Sequence, residues 1–532
     1  MATRGEPPRK RANTRQTSGF ADGDAVREAL QNSNPDEVAH ALVTLRNQLT
    51  IKPHSPPIAP SDARLTLLHS YLSSPLTRDA KQIFDIWSCT PSKSPQQLAA
   101  PISALAAILN LLTSHYTFHA LGQPIVKALL STPWIHQLNA YLGSSSNELV
   151  IAALKCLVAC AGFAGGTEQR ALMDAFAWES KSLHKLLSMR RRPSSSSSHK
   201  NATPDPLAQP DIRTLYILLQ LSFLSPTSSA AVKIALLSGH REQFAALFKG
   251  LHQDPPGVVQ RVLEVAWGGA WGDARVPRAV KVGVFGEGTL AHIAKLYERE
   301  RAEDDAPHAP AELAHHFLLA LCTHPGSGVC FRDRGWYPRD TSTNEPSTSL
   351  TPDATEEFEG EVESGAKPQS RIHNRILASL LKSLRPADDA RQRELSLRIL
   401  AACPELVAGY SWPALEPRLS SRWLANVAFM REVVGMGVPA DSFFLPGTQK
   451  EREYNPSPPP LATILANILP LPALKTHLTK GLQSPAPLVQ HASALALARC
   501  LEKYVRVREA MGGVGEVLGE GEGGRWSGRA RE

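Results

Sequence analysis

Residues 144–160 read SSSNELVIAALKCLVAC, a polar turn that runs directly into a helix with apolar residues at i, i+3 and i+4 (Val150, Ala153 and Leu154). The other polar turns that precede an apolar helix are Asn34-Pro35-Asp36-Glu37 before Val38, Ala41 and Leu42; Asp254-Pro255-Pro256 before Val259, Val262 and Leu263; Asp388-Asp389 before Leu395 and Leu397; and Ser484-Pro485 before Leu488, Ala492 and Leu495. A helix with one apolar stripe cannot bury that stripe alone, and rows of such helices stack into solenoids. The repeats are degenerate and unevenly spaced, which favours a HEAT-like array.

The composition is that of a folded protein with a mild excess of positive charge. The 532 residues exceed one ordinary core, so the chain is either several domains or one elongated array. Hydrophobic residues make up 42% and charged residues 20%. A net charge of +7 and a pI of about 9.0 suit a nucleic-acid partner only if the basic residues are clustered.

The cysteines and the apolar runs indicate the compartment. Seven cysteines are scattered through mostly apolar helical stretches, which is typical of buried free thiols in a reducing environment. We find no apolar run near the roughly 18 residues that span a bilayer. The basic N-terminus also lacks the apolar core of a signal peptide. We therefore expect an intracellular, soluble protein without a membrane partner.

The chain divides by composition into helical blocks and low-complexity segments. Period-2 strands are absent, so we predict an all-α fold, a HEAT/armadillo-like helical repeat solenoid with disordered loops. The predicted segments are a disordered basic N-terminus (1–22), a first helical-repeat block (23–187), an Arg/Ser/Pro loop (188–210), a second block (211–338), an acidic disordered segment (339–370), a third block (371–505) and a Gly-rich disordered tail (506–532).

Motifs for catalysis, cofactors or metals are not convincing. The chain has no GxxxxGK[ST] loop and no Gly-x-Ser-x-Gly elbow, and the glycines of 512–521 follow no predicted strand. His115 with His119, and Cys156 with Cys160, have helical i, i+4 spacing but are better explained by capping and core packing. The cluster His315, His316, Cys322, His324 and Cys330 matches no zinc module. We predict no enzyme, no cofactor, no metal site and no small-molecule substrate.

Two basic stretches are candidates for RNA contact. Lys185 precedes Arg190, Arg191 and Arg192, and this run continues into a serine-rich loop that could bind phosphates, act as a nuclear localisation signal or simply be solvated. The stretch 331–339 interleaves Arg332 and Arg334 with Trp336, as RNA-stacking surfaces do. Its alternative is an interhelical loop that is anchored by its own tryptophan.

Several collinear stretches resemble the N-terminal domain of the nucleolar pre-ribosomal-associated protein family, over roughly Ala25 to Tyr504. They are Ser114–Ile125, Ala175–Glu179, Arg190–Arg192, Pro210–Tyr216, Lys249–Leu251 with Asp254-Pro255, Arg332–Pro338, Cys403–Leu406, Glu416–Trp423, Lys480–Ser484 and Leu488–His491. Members of that family are usually much longer, with a separate C-terminal region. From this resemblance we expect either a fragment or a shortened form, and activities of the missing part are not carried over to this chain.

The resemblance implies a non-catalytic scaffold of the nucleolus and nucleus. Such a protein would act in early large ribosomal subunit (60S) assembly and rRNA processing, and would bind pre-ribosomal RNA and other assembly factors. The family offers no catalytic residues to carry over. The alternative is a protein-only helical-repeat adaptor, such as a nuclear transport or complex-assembly platform. An armadillo peptide groove is disfavoured because the tryptophans show no fixed period.

Overall fold

The computed structural model describes residues 19–51, 56–190, 205–299, 308–337, 373–445, 453–521 and 523–531. In these ranges the regular structure is helical, apart from one isolated antiparallel bridge between Phe444 and Tyr454. The predicted all-α fold is therefore confirmed for the described part of the chain. The predicted basic N-terminus, Ser-rich loop and acidic segment fall largely in 1–18, 191–204 and 338–372, outside these ranges.

The first compact unit covers Met1–Leu236. Its α-helices are α1 (Gly23–Leu30), α2 (Pro35–Leu49), α3 (Ala63–Ser73), α4 (Lys81–Cys89), α5 (Pro95–Leu112), α6 (His119–Leu130), α7 (Trp134–Tyr141), α8 (Asn147–Gly162), α9 (Gln169–Ala175), α10 (Ser182–Leu186), α11 (Ile212–Ser222) and α12 (Ala230–Ile234). Helices α2, α5, α8 and α11 pack in succession, each on the one before it. This stacked row is the packing of a HEAT/armadillo-like helical-repeat solenoid.

The central helices of this row are buried on more than one face. By length and composition alone, Pro95–Leu112 and Asn147–Gly165 are apolar enough to cross a membrane, but 72% and 61% of these stretches are buried inside the fold. Our prediction that no apolar run approaches 18 residues is wrong for both. The reason is that α2 and α8 cover two sides of α5, and α5 and α11 cover two sides of α8. Each of these two helices therefore needs apolar residues on more than one face.

The second compact unit covers Leu237–Glu532. Its α-helices are α13 (Arg241–Ala245), α14 (Pro256–Val265), α15 (Arg278–Val284), α16 (Glu287–Ala294), α17 (Pro310–Cys322), α18 (Arg375–Ser383), α19 (Ala390–Ala402), α20 (Glu405–Ala408), α21 (Ser421–Val434), α22 (Leu461–Ile468), α23 (Leu474–Leu482), α24 (Pro487–Val517) and α25 (Arg525–Arg531). Helices α14, α17, α19, α21 and α24 again form a row in which each contacts the next. The same repeat packing thus recurs in this unit.

Two of the five polar turns, those before α2 and α19, cap their helix with a side chain. The side chain of Asn34 accepts from the N–H of Asp36 at 3.1 Å at the start of α2, and Asp389 accepts from Arg391 at 2.9 Å at the start of α19. Such caps satisfy backbone donors that have no partner inside the helix. Prolines stand in the first turn of α2, α14 and α24, where a missing N–H costs nothing.

The apolar face of α24 is not the one that the sequence pattern predicts. Its buried residues are Val489, Ser493, Ala496 and Cys500 and their successors, whereas Leu488 and Leu495 are 51% and 36% exposed. The buried face packs on α21 and α23. A Cβ on Gly481 of α23 would lie 2.0 Å from the Ser493 hydroxyl oxygen, so this approach requires small residues on both helices.

The Gly-rich tail is also corrected by the structure. Helix α24 continues through Gly512, Gly513 and Gly515 to Val517, and α25 follows it. Tertiary packing outweighs the low helix propensity of glycine, because Met511, Val514 and Trp526 are buried in one apolar cluster. A Cβ on Gly515 would lie 3.1 Å from the Ser527 hydroxyl oxygen, so glycine permits close packing of α25.

Candidate nucleic-acid interface

The first candidate surface begins at α10 in the first compact unit. Leu183 and Leu186 bury one face of this short helix, and Lys185 is exposed on the other. The buried Arg213 side chain of α11 donates to the carbonyl of Leu187 at 2.8 Å. The backbone N–H of Arg213 also donates to the carbonyl of Met189 at 3.2 Å. The chain is therefore fixed to α11 up to the residue before the arginines.

The arginine run itself lies only partly within the described ranges. Arg190 is half-buried, while Arg191 and Arg192 lie outside the described residues. The phosphate contact of this run therefore stays a prediction. What the structure adds is that Lys185 is exposed on a helix whose C-terminal end is anchored.

The second candidate surface is the Arg332 loop, defined here as residues 323–337, which follows α17 in the second unit. Arg278 of α15 holds its first half: the guanidinium Nε donates to the carbonyl of Gly328 at 3.1 Å and Nη2 to that of Cys330 at 2.9 Å. The same guanidinium carbon lies 4.5 Å from the centroid of the Phe331 ring. One half-buried guanidinium group thus contacts three residues of the loop.

Asn374, the N-cap residue of α18, fastens the middle of the loop. Its side-chain Nδ2 donates to the Phe331 carbonyl at 2.9 Å and its Oδ1 accepts from the Phe331 N–H at 2.8 Å. The backbone N–H of Asn374 donates to Glu405 of α20 at 3.1 Å. Asn374 is 1% exposed, so this paired hydrogen bond is shielded from water.

Asp333 ties the next turn of the loop to α20. One carboxylate oxygen accepts from the N–H of Gly335 at 3.0 Å and the other from the N–H of Glu405 at 3.1 Å. Burial raises the pKa of the Asp333 carboxyl above its usual value. The neighbours Arg332 and Arg334 are both exposed, and neither side chain has a hydrogen bond or an ion pair with the described residues.

Trp336 does not take part in this exposed surface. Its side chain is 0% exposed and packs with Phe443, Val507, Met511 and Trp526. Our prediction that Trp336 stacks on RNA is therefore corrected: the ring fills the core that joins the loop to the last helices. The alternative, a loop anchored by its own tryptophan, describes this residue. Arg332 and Arg334 remain as the candidates of this segment.

The structure adds one cleft that we did not single out from the sequence. It has a volume of about 550 Å³ and is lined by Arg385, Ala387, Asp388, Ser421, Arg422 and Ala425. Arg385 and Arg422 are exposed, and neither guanidinium has a carboxylate partner within the described part of the chain. Arg385 lies in the turn between α18 and α19, whereas Arg422 lies in the first turn of α21. Helix α19 packs on α21, and the two arginines line the same cleft.

The groups with metal-ligand spacing are engaged elsewhere. His115 caps the turn that follows it by accepting from the N–H of Thr117, and Cys156 and Cys160 are buried in the core, as predicted. Nδ1 of His315 lies 3.1 Å from the Tyr297 hydroxyl oxygen. Among the described residues, no group of three or more His, Cys, Asp or Glu side chains is arranged to hold a metal ion.

The chain is similar over most of its length to known proteins. The family model Npa1, described as Ribosome 60S biogenesis N-terminal, matches residues 80–426. The chain is 22% identical over 413 residues to nucleolar pre-ribosomal-associated protein 1 of Saccharomyces cerevisiae, and this match covers 76% of the chain and 22% of the yeast protein. It is 23% identical over 465 residues to the Mus musculus protein of that name, covering 84% of this chain and 18% of the mouse protein. The chain thus spans about a fifth of the length of these relatives.

A solved structure of Kap95p with RanGDP is also similar. It shares 11% sequence identity, with 96% of this chain and 55% of that chain covered. The TM-score is 0.31.

Proposed function

The chain belongs to the ribosome 60S biogenesis (Npa1) family, a nucleolar family, and from this membership we propose that it is a non-catalytic scaffold of early large-subunit assembly. In this role it binds pre-ribosomal RNA and other assembly factors in the nucleolus. The relatives are named nucleolar pre-ribosomal-associated proteins, which supports the compartment and the process. Our proposal adds that the chain contacts RNA directly and binds particular assembly factors.

The observation that carries the RNA-binding proposal is the Arg332 loop. Arg278, Asn374 and Asp333 fix its backbone, while Arg332 and Arg334 remain exposed and unpaired within the described part of the chain. An arginine on a fixed backbone loses less conformational freedom when it binds a phosphate than one on a free loop. A fixed loop that displays two unpaired cations supports an anionic partner.

The Arg385/Arg422 cleft supports the same partner. Guanidinium groups bind phosphate oxygens through two parallel hydrogen bonds, and the two arginines outnumber the one carboxylate, Asp388, that lines the same cleft. Contacts of this kind recognise the RNA backbone by charge and shape rather than by base sequence. We propose that Arg332, Arg334, Arg385, Arg422 and Lys185 contact RNA. We propose Arg190–Arg192 as an additional set of RNA contacts.

The distribution of perturbed groups supports a scaffold rather than an enzyme. Burial raises the pKa of Tyr216 and of the Cys322 thiol, and both are core residues. Catalytic groups with shifted pKa values normally line a cleft. The cleft that contains Arg385 and Arg422 is lined by one carboxylate, Asp388, and one hydroxyl, Ser421, with no histidine or cysteine beside them.

The proposal is tested by measuring the affinity of the purified chain for a large-subunit precursor RNA at several salt concentrations. In the double variant Arg332→Ala/Arg334→Ala, the slope of log K against log salt should fall by about 0.7 to 0.9 for each phosphate that the variant no longer binds. The matched control is Arg275→Ala, an exposed arginine whose charge is already paired with Asp273 at 2.7 Å. An unchanged slope in the double variant would contradict direct phosphate binding by this loop.

A protein-only platform is the second candidate, and one observation favours it. The outer face of α24 exposes Leu501, Tyr504 and Val505, which are 56%, 40% and 41% exposed. Grouped apolar side chains of this kind are typical of protein interfaces rather than of RNA contacts. Ultraviolet crosslinking in growing cells separates the two. If crosslinked RNA stays at background while assembly factors still co-purify, the protein-only platform is the correct function and the RNA-binding scaffold is not.

A further inference from the structure

Two buried cysteines from distant parts of the chain lie in direct contact. Six of the seven cysteines are buried, and all seven are free thiols. Cys330 lies in the Arg332 loop, and Cys403 is the C-cap residue of α19. Their sulfur atoms are 3.3 Å apart although the residues are separated by 73 positions. The fold itself therefore brings these two thiols together.

The surroundings make the two thiols chemically unequal. The contact with Cys403, and to a smaller extent the guanidinium of Arg278, lowers the pKa of the Cys330 thiol against the opposing effects of burial and of the Asp333 and Glu405 carboxylates. The same contact and burial raise the pKa of the Cys403 thiol. A thiolate is the reactive form of cysteine, and a neighbouring thiol can resolve its first oxidation product. Cys330 is thus the attacking sulfur of the pair.

We propose that Cys330 and Cys403 form an oxidation site. Hydrogen peroxide is the oxidant, and the product is a disulfide between the two cysteines. The Cys330 thiolate attacks one peroxide oxygen and breaks the O–O bond, giving a sulfenic acid and hydroxide. The Cys403 sulfur then attacks the Cys330 sulfur and displaces the sulfenic oxygen, which leaves as water. In total two thiols are oxidised by two electrons, one peroxide is reduced, and two molecules of water form.

The disulfide would tie the Arg332 loop covalently to the end of α19. In the reduced protein the loop is held by hydrogen bonds from Arg278, Asn374 and Asp333. Both cysteines are 0% exposed, so peroxide reaches them when the loop opens locally. The crosslink should then form faster in mild denaturant than in buffer alone. A crosslink across 73 positions also restricts the unfolded chain, so the oxidised form should resist urea better.

The experiment treats the purified full chain with hydrogen peroxide and blocks the remaining thiols with an alkylating reagent. Intact mass spectrometry should show the loss of two hydrogen atoms, and the non-reduced peptide map should join Cys330 to Cys403. The variant Cys403→Ser should lose this crosslink. The matched control is Cys500→Ser, another buried thiol in the same unit, which should keep the crosslink.

The outcomes that overturn the proposal are equally specific. If both Cys330 and Cys403 are alkylated after peroxide treatment, their contact does not lead to a disulfide. A Cys322–Cys330 disulfide would show the wrong partner, because Cys322 is the nearby buried thiol of α17. If Cys403→Ser loses its helical circular dichroism, Cys330→Ala serves in its place, and a crosslink that persists there overturns the proposal as well.

Discussion

Lys503 is buried against the face of Trp336, with its Nζ 5.8 Å from the ring centroid. The same ammonium group donates to the carbonyls of Met436 and Gly437 at 2.8 and 3.1 Å. A cation of α24 thus binds two carbonyls beyond the end of α21, and an aromatic ring from the Arg332 loop covers it. This arrangement joins the loop, α21 and the last long helix at one point.

The first prediction concerns the pH dependence of this group. Burial, and to a smaller extent the nearby Arg506, lowers the pKa of Lys503 to about 8. Between this value and the unfolded pKa of about 10.4, the unfolded chain binds more protons than the folded chain. The contribution of Lys503 to the free energy of unfolding therefore rises with pH across this window, by up to about 3 kcal/mol.

The measurement compares urea unfolding of the parent chain and Lys503→Met at pH values from about 7.5 to 10.5. As the pH rises, the free energy of unfolding of the parent chain should increase relative to that of Lys503→Met. Parallel pH profiles for the two proteins would contradict a lowered pKa for Lys503.

The second prediction concerns Gly328 at the turn where the chain leaves α17. Its φ is +61°, and a Cβ there would lie 1.9 Å from the carbonyl oxygen of Leu321. Gly328→Ala should therefore destabilise the second unit by about 2 kcal/mol or more, through backbone strain and the steric clash. Thermal unfolding followed by circular dichroism measures the shift. Gly288→Ala in α16 is the control, because nothing lies within 4 Å of its Cβ position and alanine favours a helix.

The third prediction concerns Trp526 and the C-terminal helices. Its ring is 0% exposed, packs against Phe443 and donates from Nε1 to the carbonyl of Asn455 at 3.0 Å. Trp526→Ala should destabilise this cluster by about 3–5 kcal/mol. Limited proteolysis should then cut first within 505–531. Trp267→Ala, a tryptophan that is 38% exposed, should leave this cleavage unchanged.

The sequence predicts that helices follow these turns, because the start of a helix depends on neighbouring residues. Asn34 and Asp389 cap their helices because a cap needs only a short polar side chain and the next few backbone donors. The buried face of α24 depends instead on α21 and α23, and Leu495 is as apolar as its buried neighbours. The local pattern alone therefore cannot give the orientation of that helix.

The same limit applies to the candidate site. Arg332, Arg334 and Trp336 alternate along the chain, and sequence alone cannot decide which of them the fold buries. The contacts that decide it come from Asn374, Glu405 and Phe443, which belong to later elements of the chain. The Arg385/Arg422 cleft was missed for a similar reason, because neither arginine belongs to a basic run.

The last prediction tests this cleft as part of the RNA interface. If Arg385 and Arg422 contact phosphates, the variant Arg385→Ala/Arg422→Ala should weaken binding to precursor RNA uniformly across sequences. The slope of log K against log salt should fall by about 0.7 to 0.9 for each phosphate released from the interface. Arg418→Ala is the matched control, since this nearby exposed arginine already pairs with Glu416 at 3.2 Å. Combining the cleft and loop variants should lower the slope additively if the two surfaces bind separate phosphates. Equal slopes for the cleft variant and the control would remove Arg385 and Arg422 from the interface while leaving the loop as its candidate.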